Sequence, residues 1–268
     1  DTMVKTLEPL ARKNPRVVFD LQMSIDHIGQ AHDDSRRVKN LYQTAIASFR
    51  ALSEIRTRSP NLRLKINVVY LERNRDAIEA IGSALEDEVA FDRIHLAYPH
   101  EMLAPDQPVD AARLKEFERY VEAADRLGQR GHRSQRDLYT LGMRSVKYVY
   151  HRLLREALTN ERNLGSYCEV GRYIVVINEK GDVFPCEPLW EKIGNLRECD
   201  YDMAAILRSP AYEEFRSKRL GKGKCNCTWS CAIHSAIAAK PQYLPELAGH
   251  AARMLLTPSS NDNGRAHG

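Results

Sequence analysis

All six cysteines of this 268-residue chain lie between Cys168 and Cys231. No apolar run reaches the roughly 18–20 residues that cross a bilayer, and the N-terminus lacks the positive-then-apolar pattern of a signal peptide. A cytosolic location is therefore expected, where disulfides are rare and clustered thiols point to metal. Tyr173–Ile177, the turn Asn178–Gly181 and Asp182–Phe184 predict a β-hairpin with Cys168 before it and Cys186 after it. The hairpin would bring these two thiols together at its open end. Cys225-Asn-Cys227-Thr-Trp-Ser-Cys231 would supply the remaining sulfurs.

Four thiolates suit tetrahedral zinc or a cubane [4Fe–4S] cluster, and ligand type alone does not separate the two. The usual CxxC knuckles of zinc ribbons do not occur here. CxC followed by CxxxC is looser, and better matched to a cluster whose irons lie apart. Zinc and unligated thiols stay open on the residues alone. Cys199, in the charged Arg197-Glu-Cys-Asp200, reads as a surface turn apart from the others. His234 falls where a CxxxCxxC motif would have its last cysteine, but a lone His there is more often a polar helix residue. Trp229, inside the cysteine loop, is expected to shield the site by packing.

Upstream the pattern is strand, helix, strand, helix, strand. Strands are predicted over Arg16–Ser24, Leu62–Tyr70 and Phe91–Tyr98, with helices over about Val38–Arg56 and Asp76–Leu85. Such alternation implies parallel pairing through crossovers. In the second strand Leu62, Leu64, Ile66 and Val68 alternate with Arg63, Lys65 and Asn67, which is unusual for a parallel strand covered on both faces. An incomplete barrel with a wet interior and a sheet with one solvent-facing side both explain that alternation. A proline-containing loop follows Pro99. Helices are predicted over about Asp110–Leu127, Ser134–Leu158 and Met203–Arg219, separated by a Gly/Arg/His stretch at 128–133, a boundary turn at 160–166 and the hairpin. The segment 221–224 reads as flexible and the last ten or so residues as a disordered tail.

With 40 basic against 36 acidic residues, the net charge of +4 is a mixed surface. It lacks the concentrated basic face of a nucleic-acid binder, and neither nucleic acid nor membrane is expected as a partner.

Two stretches resemble radical S-adenosylmethionine (SAM) enzymes carrying a SPASM or twitch domain. Ser24-Ile-Asp26, Gly29, His32-Asp33 and Arg36 look like the family's S-L-D-G-x-x-x-x-H-D-x-x-R signature at the end of the fourth barrel strand. Cys168, Gly181-Asp-Val-Phe-Pro-Cys186, Ile193-Gly-Asn-Leu196, Arg208-Ser-Pro210 and the final cysteines are similar to the auxiliary-cluster pattern. The resemblance implies an α/β fold: the C-terminal portion of a partial (β/α)6 barrel over 1–163, a small SPASM/twitch domain with a hairpin over 164–240, and a terminal helix and tail over 241–268. It implies an auxiliary [4Fe–4S] cluster on Cys168, Cys186, Cys227 and Cys231, with Cys225 a close substitute for one of the last two. Ser24 would lie near the SAM ribose and Asn67 would face the cofactor.

In a full-length enzyme the same resemblance implies a second [4Fe–4S] cluster and reductive SAM cleavage to a 5′-deoxyadenosyl radical. That radical would abstract hydrogen from a peptide, carbohydrate or small metabolite, with flavodoxin or ferredoxin as reductant. The radical-generating CxxxCxxC loop does not occur in the sequence, and the chain begins at Asp1 in what reads as mid-fold. It is therefore expected to be an inactive fragment, with no catalytic acid or base assigned. The alternative is a non-enzymatic zinc- or iron–sulfur-binding α/β module.

Overall fold

The computed structural model describes residues 2–104, 110–131, 138–161, 168–221 and 224–256. They divide into two compact units, Asp1–Pro99 with Lys115–Ser134, and His100–Leu114 with Gln135–Gly268.

In the first unit α1 (Thr2–Lys13) precedes β1 (Phe19–Ser24), so a helix comes before the first predicted strand. Then come α2 (Gln30–Arg36), α3 (Leu41–Arg58), β2 (Leu62–Val69), α4 (Ile78–Glu88) and β3 (Arg93–Ala97). The strands form a parallel sheet in the order β1-β2-β3. The period-two alternation of β2 explains its burial. Leu62, Leu64, Ile66 and Val68 are almost fully buried, as are Ile46, Phe49, Leu52 and Ile55 of α3, which packs on β2. Each such side chain contributes about 1.5–3 kcal/mol on leaving water. Arg63 and Lys65 are half-buried on the other face, where Lys65 Nζ lies 2.5 Å from Asp20 Oδ2. The face that the sequence marks as polar is indeed polar in the sheet.

The Ser24–Arg36 stretch forms a joint at the C-terminal end of this sheet. Ile25 N donates to Asn67 O at 2.9 Å, prolonging the β1–β2 pairing. The buried Asp26 carboxylate accepts the Val69 N–H at 3.0 Å and pairs with Arg36 at 2.6 Å. Asp26 N donates to His32 Nδ1 at 3.2 Å, and Tyr42 N donates to Asp33 Oδ1 at 2.8 Å at the start of α3. Gly29 takes φ 56°, ψ −136°, a conformation that side chains with a Cβ rarely adopt, and so lets α2 begin at once. Asn74 closes the joint, donating to Asp26 O and Val69 O at 2.8 Å each.

The second unit contains β4 (Met102–Leu103), the start of α5 (Ala111–Leu127), α6 (Leu138–Leu158), β5 (Val176–Ile177), β6 (Asp182–Phe184) and β7 (Gly194–Asn195). There follow α7 (Met203–Ile206), α8 (Pro210–Arg219), β8 (Asn226–Cys227), α9 (Ser230–Ala239) and α10 (Leu244–Leu256). Helix α6 packs against α9 and α10, and Arg152 clamps Glu246 of α10 at 2.8–2.9 Å.

The hairpin forms, but with a shorter first strand, since Gly171 takes φ 76° and puts 171–174 in a turn. Its tip is an Asx turn in which Asn178 Oδ1 accepts the N–H of Lys180 and of Asp182 at 3.0 and 2.9 Å. A third strand, β7, pairs antiparallel with β6. The predicted helix over Met203–Arg219 is two helices. Pro210 cannot donate to a preceding turn, and Ser209 caps α8 by accepting the Tyr212 N–H at 3.2 Å. No described helix is long and apolar enough to cross a membrane. The predictions for the loop residues 105–109, for 132–137, 162–167 and 222–223, and for the tail from 257 lie outside the described residues.

Candidate metal centre

The sequence places Cys168 and Cys186 on either side of the hairpin sheet, while Cys225 and Cys227 arrive on β8 and the residue before it. Side chains two apart in an extended segment point the same way. Asn226, between them, points the other way, and its Nδ2 donates to Ala157 O at the end of α6 at 2.8 Å. Antiparallel pairing of Met102 with Cys227, and the Thr228 N–H donated to Glu101 O at 3.0 Å, hold the strand from its far edge. The CxC spacing thus turns both thiols to one side of a strand whose central residue is anchored on the opposite side.

Electrostatics show which thiols share an environment. Burial pushes the Cys168 thiol up to about 12, and the neighbouring Cys225 and Cys186 add to the push. Burial takes Cys186 up to about 11, again with Cys225 adding. Cys227 rises through burial and through the nearby Cys225, Cys168 and Cys186. Cys225 rises through burial, opposed by the Arg219 guanidinium. Burial and mutual nearness keep these thiols protonated, and a bound metal centre would supply the positive charge that favours their thiolates.

Three of the four already meet a backbone donor that favours thiolate: the Val170 N–H at Cys168, the Leu189 N–H at Cys186 and the Trp229 N–H at Cys227. A second sign of fit is the Trp229 indole, which is 2% exposed and whose Nε1 has no hydrogen-bond partner among the described residues. A buried unpaired donor costs about 1–3 kcal/mol, and a metal-bound sulfur would accept it. The donor set therefore fits a thiolate-held cluster. As the side chains stand, no three or more His, Cys, Asp or Glu among the described residues form a ready-made ion site.

Cys231 is exposed in the first turn of α9. Burial raises it, the Ser230 hydroxyl opposes and the Glu187 carboxylate adds. His100 Nε2 lies 3.2 Å from Ser230 Oγ in the same patch. Cys199 ends its own 3₁₀ turn, its thiol 3.3 Å from Asn195 O. His234 stacks on Tyr150 at 4.7 Å with its Nδ1 2.8 Å from Ser230 O, the environment of a helix residue. A cavity of about 810 Å³, lined by Glu169, Arg172, Tyr212, Arg216 and Lys240, reaches Cys168.

In the first unit Ser24 and Asn67 are register partners on adjacent strands, and Asn67 is also the partner of His95. His95 completes a polar row across the three strands, level with the end of β1 and two residues before the ends of β2 and β3. Its signal in the sequence is the alternation of Arg93 and His95 with Ile94 and Leu96, the same period as β2.

Residues 168–232 match SPASM, an iron–sulfur cluster-binding domain. The match takes in all six cysteines, Cys168, Cys186, Cys199, Cys225, Cys227 and Cys231. Two solved structures are also similar. Native anSMEcpe with bound AdoMet and Kp18Cys peptide matches at 12% identity and TM-score 0.43, over 93% of this chain and 74% of that one. Native anSMEcpe with bound AdoMet matches at 13% identity and TM-score 0.43, over 91% and 71%. No curated protein matches.

Proposed function

We propose that the chain is part of a radical SAM enzyme whose SPASM-matching segment holds an auxiliary [4Fe–4S] cluster. The observation that carries this reading is the convergence of Cys168, Cys186, Cys225 and Cys227 within the segment that matches an iron–sulfur domain. Cys168, Cys186 and Cys227 serve as ligands, with the fourth position falling to Cys225 or Cys231. Backbone N–H groups of Val170, Leu189 and Trp229 stabilise the thiolates, and Asn226 aims the CxC pair. If all positions are filled the cluster serves electron transfer, whereas an open one binds substrate.

The three parallel strands are read as part of the barrel. Ser24 at the end of β1 and Asn67 two residues before the end of β2, with His95 beside them, would hold SAM from its ribose side, in keeping with ligand sites toward the carboxyl ends of parallel strands. SAM, when bound, supplies the group that abstracts hydrogen from a peptide, carbohydrate or small-molecule substrate. The polar strand face positions it.

Anaerobic reconstitution with ferrous iron and sulfide tests the reading. The wild-type chain should bind iron and acid-labile sulfide and show a broad visible band that dithionite bleaches. Cys168→Ala or Cys186→Ala should lose most of that iron, and Cys199→Ala should retain it. A colourless protein with one zinc, or iron retained by the Cys168 and Cys186 variants, overturns it.

A further inference from the structure

Trp229 sits midway between Cys227 and Cys231, at the N-cap of α9. Its ring is one of the largest fully buried side chains, yet its N–H meets no acceptor among the described residues. Packing alone explains burial of an indole but not this particular choice, since Phe would fill an apolar slot without stranding a donor. The backbone N–H of the same residue already serves Cys227. The polar acceptors that a cluster adds here are sulfurs, either the ligating thiolates or the inorganic sulfides.

We infer that the Trp229 indole N–H donates a hydrogen bond to a sulfur of the cluster and raises its reduction potential. The inference rests on the cluster reading above. Reduction adds negative charge to the sulfurs, so a donor stabilises the reduced form more than the oxidised one. The residue acts through the cluster as a positioning and tuning group. A neutral hydrogen bond of ordinary strength shifts the reduced-to-oxidised ratio by roughly three- to tenfold at fixed reductant, and tenfold is about 59 mV for one electron.

The test uses the full chain reconstituted anaerobically with iron and sulfide. Redox titration should give Trp229→Phe a lower midpoint potential than wild type at equal iron content, and Trp190→Phe an unchanged one. Should Trp229→Phe fail to fold, wild-type protein labelled with indole-¹⁵N tryptophan gives a second readout. Pulsed electron paramagnetic resonance of the reduced cluster should then show a ¹⁵N coupling that persists in Trp190→Phe. Equal potentials, or a cluster without ¹⁵N coupling, overturn the inference while leaving the cluster reading intact. Failure of wild type to take up iron overturns the cluster reading, and this inference with it.

Discussion

His32 is buried to 1% exposure, accepts the Asp26 N–H at Nδ1, and has an Nε2 without a partner among the described residues. Burial lowers its pKa from 6.5, while the nearby Asp26 and Asp33 carboxylates oppose and Arg36 reinforces the shift. The folded state therefore prefers the neutral ring. Its contribution to stability is fully present above the unfolded value near 6.5 and is lost as pH falls toward the lower folded value. Wild type should lose stability below about pH 6.5 more steeply than His32→Gln in urea denaturation across pH 5–8. Parallel pH profiles for the two proteins would sink the assignment. The sequence marks His32, Asp33 and Arg36 as special but not why. His32 and Arg36 connect to Asp26, whose partners Val69 and Asn74 come from the end of β2 and the loop after it, while Asp33 accepts the Tyr42 N–H, and no local pattern announces such a network. Asn74 was for that reason invisible at the sequence level, although it is 1% exposed and tied to three backbone groups.

Elements with a strong period were readable: the alternation of β2 and the helical stripe of α3 each follow from one face meeting the core. The helix predicted over 203–219 failed at a junction rather than in its pattern, because Ser209 and Pro210 begin a new helix inside an otherwise helical composition. Strand β8 is the element on which the proposed metal centre turns, and it is two residues long. Pairing with β4, the Thr228 N–H donated to Glu101 O and the Asn226 anchor fix its direction. Asn226→Ala removes the Nδ2–H donated to Ala157 O in a site with no exposure, which should cost about 1–3 kcal/mol and loosen both flanking thiols. Asn226→Ala should therefore bind less iron per chain than wild type under limiting sulfide, and Ser209→Ala should lose stability without losing iron. Iron uptake by Asn226→Ala equal to wild type would show that the cysteines find their geometry without the anchor.

At the scale of the molecule, neighbours in sequence are not always neighbours in the fold. Met102 lies opposite Cys227, and the segment from His100 to Leu114 belongs with the second unit. A reading that proceeds along the chain could place the cysteines on their hairpin and loop, but could not supply the distant strand that holds one of them. In the metal-free state burial and their mutual nearness hold these thiols in the protonated form. Metal that binds only the folded state stabilises it by mass action, about 2.7 kcal/mol at a free concentration a hundredfold above its dissociation constant. Loading with iron and sulfide should therefore slow amide exchange at Val170, Leu189 and Trp229 and through β5–β7. The β2 amides provide a reference within the same molecule, with protection set by their own apolar core. The experiment compares apo and reconstituted protein by hydrogen–deuterium exchange at one pH. Slowing confined to peptides 168–232 ties cluster binding to the folding of that segment. Equal protection in both states would mean that the thiols contribute nothing to its stability, loaded or not.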